Sequence, residues 1–209
     1  MTTRLVSPSD IVFTPSVKSR QKTYGSRDAY EKFENTRGWE SHITPILQEF
    51  IQAQTSMFIA TANAAGQPYM QHRGGPRGFL HVIDEQTLAF ADYAGNKQYI
   101  TIGNLDENPK AQLFLIDYAN AQRVKIWGEA KVVIGNDELT SRVSTSDYPA
   151  KAERVILFKV KAWDANCHKH IPTLLRAEDV MPAMQERDDR IATLEAKLKQ
   201  LEESLPSCI

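Results

Sequence analysis

Residues 56–73 read SMFIATANAAGQPYMQHR, and this stretch decides the class of the fold. Ser56 to Ala62 is a short run of apolar and β-compatible residues. Asn63-Ala64-Ala65-Gly66 is a turn, and Gln67 to Arg73 returns as a second strand, so the whole reads as a β-hairpin. Working toward the C-terminus, Gly78 to Ile83, Thr87 to Asp92, Gln112 to Asp117, Arg123 to Ile134 and Glu153 to Trp163 follow as further β segments. Asp84-Glu85-Gln86 and Tyr118-Ala119-Asn120-Ala121 supply turns between them, and Val155, Leu157, Phe158 and Val160 are expected in the core. Between Asn96 and Leu105 the pattern switches to a short helix. Short strands with tight turns and few helices predict a mainly β fold with flanking helices, a barrel or sandwich rather than a parallel α/β sheet.

Toward the N-terminus, residues 1–25 hold Pro8, Pro15 and Gly25, with Arg4, Lys18, Arg20 and Lys22 against a single Asp10. This reads as an extended arm, whose Ile11, Val12, Phe13 and Tyr24 give it a surface to dock on a partner subunit. Ser26 or Asp28 is expected to cap a short helix through Glu34, ended by Gly38. A second helix is expected from Thr44-Pro45, with Ile43, Ile46, Leu47, Phe50 and Ile51 at amphipathic spacing. In the tail, Met184, Ile191, Leu198 and Leu205 fall seven apart, and Leu194 and Leu201 sit three beyond two of them. Arg187 interrupts this seam where a d residue is due. The stripe suits either an amphipathic helix packed on its own domain or a short dimeric coiled coil. Its narrowness and terminal position favour the coiled coil. The expected organisation is an N-terminal arm and short helix over 1–40, a β domain over 41–170 and a C-terminal helix over 178–205.

The chain has 209 residues, 42% of them apolar and 24% charged, with 25 basic against 26 acidic side chains and a net charge of -1. No basic excess argues for nucleic acid. No run approaches the roughly 18–20 apolar residues that span a bilayer, so no membrane partner is expected. The opening MTTRLVSPSD is not read as a secretory signal, and two distant cysteines, Cys167 and Cys208, make no disulfide framework. The expected setting is the cytoplasm.

HExxH, GxSxG, a P-loop and a strand-following GxGxxG are all missing. Arg73-Gly74-Gly75-Pro76-Arg77-Gly78 is glycine-rich but lies between strands with no following helix. Cys167-His168-Lys169-His170 has the residue types of a metal cluster, yet lacks the four ligands at defined spacing of a structural zinc site, and no metal is expected. The informative residues are polar and cationic side chains within β segments. Alternation sends His72 to one face and Gln71 and Arg73 to the other. Asp92 closes another strand after Ala91. Asn96-Lys97 is expected to open a helix whose N-terminus, with Lys97 and Arg73, cradles a phosphate.

Several runs together resemble the pyridoxamine 5'-phosphate oxidase family over about residues 40–165. They are Phe58-Ile59-Ala60-Thr61-Ala62, Gly66-Gln67-Pro68-Tyr69, Gly78-Phe79-Leu80, Leu88 to Asp92, Asn96-Lys97-Gln98-Tyr99, Asn104-Leu105, Asn108-Pro109, Ala111 to Leu115 and Val124 to Ala130. The resemblance implies an FMN-binding split β-barrel that assembles as a two-fold homodimer with two flavin sites at the interface. It implies flavin-site roles for Gln71, His72, Arg73, Ala91, Asp92, Asn96 and Lys97. Arg123, Lys125 and Trp127 fall on the strand that contributes from the partner subunit, and Trp163 and Asn166 where the family closes its pocket. The implied activity is an FMN-dependent oxidoreductase acting on a small-molecule substrate, with NAD(P)H as a candidate donor and His72 and His168 as candidate acid–base residues. A non-catalytic flavin-binding or redox-sensing protein, and a deazaflavin- or haem-binding relative on the same barrel, are the alternatives. Gly74-Gly75-Pro76-Arg77 departs from the family's simpler strand. The C-terminal segment of true pyridoxamine phosphate oxidases has no counterpart, which sets this chain apart from that activity.

Overall fold

The structure, a computed structural model, describes residues 7–144, 148–166 and 169–204. Its strands are β1 (Ser56–Ala62), β2 (Pro68–Gly74), β3 (His81–Asp84), β4 (Thr87–Tyr93), β5 (Lys110–Asp117), β6 (Gln122–Val133) and β7 (Ala152–Asn166). The helices are α1 (Pro15–Thr23), α2 (Arg27–Thr36), α3 (Pro45–Ala53), α4 (Ile100–Glu107), α5 (Asp137–Val143) and α6 (Ala177–Ser204), with a 3₁₀ turn at Pro8–Ile11. The strands form one antiparallel sheet in the order β2-β1-β5-β6-β7-β4-β3.

The period-2 pattern explains the core. In β1, Met57, Ile59 and Thr61 are buried, and their neighbours Phe58 and Ala60 face the other way. The same parity buries Leu113 and Leu115 of β5 and Val124 and Ile126 of β6. Four strand spacings separate β1 from β4, about 19 Å in a flat sheet. Yet Met57 and Ile59 share one apolar cluster with Leu88 and Phe90 of β4, so the sheet curls around its core. The curl is unclosed, with β2 and β3 left as edges: a split barrel. Leu47 and Ile51 of α3 and Leu105 of α4 add to the core from outside the sheet.

Gly128 permits the longest pairing, between β6 and β7. A Cβ at this position would overlap the Lys159 carbonyl oxygen and lie 2.6 Å from the Phe158 ring. The register shifts between Trp127 and Gly128, leaving Lys161 as the extra residue of a bulge.

Two local expectations change, and one helix is added. Over its described residues, 7–25, the N-terminal arm is largely helical, not extended: Thr14 caps α1 by accepting the Val17 N–H, and Pro15 occupies the first helical position. The helix expected at Asn96 begins at Ile100 instead, because Lys97 (φ 59) and Tyr99 (φ 55) are left-handed and cannot belong to it. Helix α5 is an element the periodicity did not announce, a short helix capped by Asn136, whose side chain accepts the Leu139 N–H.

Helix α5 also covers His81. Burial lowers the His81 pKa from its ordinary value, against a backbone hydrogen bond involving Val143, and nearby Arg142 lowers it further. Nε2 of His81 is buried with no hydrogen-bond partner among the described residues. The unfolded chain therefore takes up a proton at this site at a higher pH than the folded one. Stability from His81 is present above its ordinary value near 6.5 and is lost as pH falls through the lowered folded value. Chemical-denaturation midpoints measured from pH 7.5 to 5 should fall, and His81→Gln should flatten the decline. An unchanged slope in the variant would remove His81 as its source.

Candidate functional site

Two regions gather polar side chains, and they lie on different sides of the sheet. The first is a cavity of about 50 Å³ between the end of β2, the end of β4 and the loop into α4. Gln71, Arg73, Asp92, Asn96 and Lys97 all line it, together with Tyr69, Tyr99, Thr101 and Glu153. Alternation along β2 turns Gln71 and Arg73 toward it. Gln71 is anchored there, its Oε1 accepting the Thr101 hydroxyl at 2.7 Å. Asn104 Nδ2 likewise donates to Thr61 Oγ1 at 3.0 Å, so α4 is tied to both strands of the first hairpin.

At the cavity's floor Asp92 faces two arginines. Arg73 Nη1 lies 2.6 Å from Asp92 Oδ1, and Arg154 Nε lies 3.6 Å from Asp92 Oδ2. All three side chains are largely buried, at 16%, 13% and 6% exposure for Arg73, Arg154 and Asp92. Arg154 also pairs with Glu153 and lies over the Tyr99 ring, 5.3 Å from its centroid. Arg73 Nε is buried and has no hydrogen-bond partner among the described residues. Of the charged side chains that line the cavity, Arg73 and Lys97 match Asp92 and Glu153 in number, and Arg154, paired to both carboxylates, adds a third cation to the cluster. The loop above is shaped by Asn96, whose Oδ1 accepts the Gln98 N–H at 3.2 Å, and by the left-handed Lys97 and Tyr99. Strained residues in such a loop persist only where surrounding structure holds them. Burial raises the Tyr93 phenol above its ordinary value, and Tyr148, whose ring is 4.9 Å away, adds to the effect.

The second region is the opposite sheet face. His72 packs edge-on against Phe58 at 5.5 Å, and the register continues from Phe58 to Phe114 to Lys125 to Asp164. Arg123 lies on the same side of β6, its Nε buried without a partner among the described residues. Trp127 stacks flat on Trp39, with 4.9 Å between centroids and 6° between planes, and Phe13 packs on Trp39 in turn at 5.1 Å. This aromatic stack fixes the N-terminal helices to the sheet. Beside it opens a cleft of about 820 Å³, lined by Trp127, Gln112, Lys110, Glu129, Lys161 and Asp10 among others.

The remaining expected site residues sit elsewhere. Ala91 is buried in the small cluster beneath α5 with Val143 and Val155. Trp163 donates its indole N–H to the His42 carbonyl at 2.8 Å, holding the segment before α3 to β7. Asn166 ends β7, but its side chain, together with Cys167 and His168, lies outside the described residues. Arg154, Tyr99 and Trp39 were missed. Arg154 is brought to Asp92 by the β4–β7 register, a pairing with no local signal.

The family model described as Pyridoxamine 5'-phosphate oxidase matches residues 43–167, more than half of the 209. The chain belongs to the pyridoxamine 5'-phosphate oxidase family. The matched span runs from the start of α3 past the end of β7 and includes the whole sheet. No curated protein matches this oxidase-family chain. Among solved structures it is similar to HupZ of Group A Streptococcus, at 17% identity and TM-score 0.48 over 64% of this chain and 99% of that one. It is similar to an FMN-binding protein from Syntrophomonas wolfei subsp. wolfei, at 16% identity and TM-score 0.44 over 77% of this chain and 99% of that one. An F420 reductase is similar at 19% identity and TM-score 0.40 over 56% of this chain and 94% of that one. No helix of the described residues is long and apolar enough to cross a membrane.

Proposed function

We propose that this family member is a cytoplasmic, homodimeric, FMN-dependent oxidoreductase of a small-molecule substrate, with NAD(P)H a candidate donor. The observation that carries the reading is the buried Nε of Arg73, without a hydrogen-bond partner among the described residues, in a cavity that Lys97 also lines. At about 50 Å³ this cavity is far below the several hundred Å³ of a pocket for a whole ligand. It suits one compact anion, and a phosphate monoester is the group that guanidinium and ammonium donors hold best. The residues present therefore fit the phosphate end of FMN. Arg73 and Lys97 bind it, Asn96 shapes the loop over it, and Asp92, itself paired to Arg154, holds the Arg73 guanidinium in place. FMN, when bound, supplies the redox chemistry, and the chain supplies orientation and charge.

The two polar regions support the dimer. Gln71 and Arg73 face the small cavity, whereas His72, Lys125 and Trp127 face the other side of the sheet. A cofactor touching both sets draws them from two chains. On this reading the partner contributes Arg123, Lys125 and Trp127, and His72 is the candidate proton carrier on that face.

Arg73→Ala combined with Lys97→Ala should weaken FMN binding at least tenfold, read by flavin fluorescence during titration. Unchanged affinity would refute the phosphate placement. An absorption spectrum of the purified protein tests the cofactor itself. Two broad bands in the near-ultraviolet and blue support FMN, and a Soret band or a single violet band would replace it with haem or a deazaflavin.

A further inference from the structure

Helix α6 (Ala177–Ser204) is 28 residues long, about 42 Å at the usual rise. Every residue from Met181 to Glu203 is exposed. The reading in which its stripe packs on its own domain therefore fails: Ile191 is 45% exposed, Leu194 44% and Leu198 59%. Its start is held to the β2–β3 loop, where Arg77 Nη2 lies 3.6 Å from Asp179 and 4.0 Å from Glu178. Beyond that tether the helix carries its apolar seam into solvent.

The flanking charges say what covers the seam. With Ile191 and Leu198 at a and Leu194 and Leu201 at d, the g positions are Arg190 and Lys197, and the e positions are Asp188, Glu195 and Glu202. Between Asp188 and Glu202 both g residues are basic and all three e residues are acidic. In a parallel pair each g residue faces the e residue of the next heptad in the other chain, so Arg190 meets Glu195 and Lys197 meets Glu202, twice over by symmetry. An antiparallel pair sets g against g and e against e, which places like charges together at every such position. In the first heptad of the seam, Ile191 at a with Leu194 at d also favours two parallel strands.

We propose that α6 forms a parallel, in-register, two-stranded coiled coil with α6 of a second copy of this chain. Arg187 at a d position confines the strong seam to the part from Ile191 onward. A seam that short is marginal alone. It rests on the homodimer proposed above for the local concentration that closes it.

The test uses the full chain carrying Cys167→Ser and Cys208→Ser. Ile191→Cys and Leu198→Cys, each added alone, should form a disulfide-linked dimer under mild oxidation at least tenfold faster than Ala196→Cys on the outer face. Arg190→Glu with Lys197→Glu should abolish that advantage, and adding Glu195→Lys with Glu202→Lys to the same chain should restore it. Crosslinking no faster than at Ala196→Cys, or indifference to the charge changes, would overturn the proposal. Sedimentation of the same samples separates the two readings. A dimer without the crosslink rejects the seam and leaves the barrel dimer standing, and a monomer without it rejects both.

Discussion

Replacing Asp92 with alanine should cost about 3–5 kcal/mol of folding stability, the range for removing one partner of a buried ion pair. The size of the effect comes from the two arginines left behind. Arg73 and Arg154 both pair with this carboxylate, and at 16% and 13% exposure both are mostly shielded from water. Removing the acid between them leaves Arg73 facing Arg154 without its carboxylate, while Arg154 keeps Glu153. For a chain of this size the loss corresponds to roughly 6–20 °C in melting temperature. Inorganic phosphate then becomes informative. If the cavity is an anion site, millimolar phosphate should raise the melting temperature of Asp92→Ala more than that of the wild type, because the Arg73 guanidinium, left without its carboxylate, gains a counter-charge. A loss below about 1 kcal/mol would mean that solvent already screens this cluster as at an exposed pair.

Gly128→Ala should be similarly damaging, at least about 3 kcal/mol and the upper end of what overpacking costs. The added methyl would overlap the backbone carbonyl of Lys159 on the paired strand, not a side chain able to rotate away. Relief requires β6 and β7 to separate where Gly128 pairs with Val160, beside the bulge. The Phe158 ring, fully buried, blocks the alternative direction. Gly103→Ala is the matched control. It lies inside α4 with nothing within 4 Å of an added Cβ, and alanine there should stabilise by about 0.5–1 kcal/mol. Urea midpoints of the two variants should move in opposite directions. A Gly128→Ala protein as stable as the wild type would show that the two strands can part without loss.

Much of the fold could be read from local pattern. Ser56–Ala62 is a strand in the sequence reading and in the structure, and the Asn63–Gly66 turn returns the chain through Gly66 at φ 83. The start of α3 was equally legible. Thr44 accepts the Leu47 N–H, Pro45 takes the first helical position, and apolar residues follow at helical spacing. Thr14-Pro15 carries the same start signal, and the Val17 N–H bonds to Thr14 at the same 3.3 Å. That helix was missed because the polar run after it has no apolar period, so its N-terminal cap was the single clue. Hydrophobic periodicity reports a helix only when one face is buried.

The site divides along the same line. Alternation in β2 was enough to place Gln71 and Arg73 together and His72 opposite them, since side-chain direction in a strand is a local property. The sequence also contained the a, d, e and g pattern of α6 in full, because heptad positions need no tertiary information. Only the tertiary structure decided that α6 leaves its seam exposed, that Lys97 belongs to a left-handed loop and not to a helix, and that Arg154 shares Asp92 with Arg73. It also set Trp127 against Trp39 and so closed the N-terminal helices over one sheet face. Each of these depends on strand register or on a contact between segments distant in the chain, and such pairings are selected by the packing of the whole core rather than by any neighbouring residue.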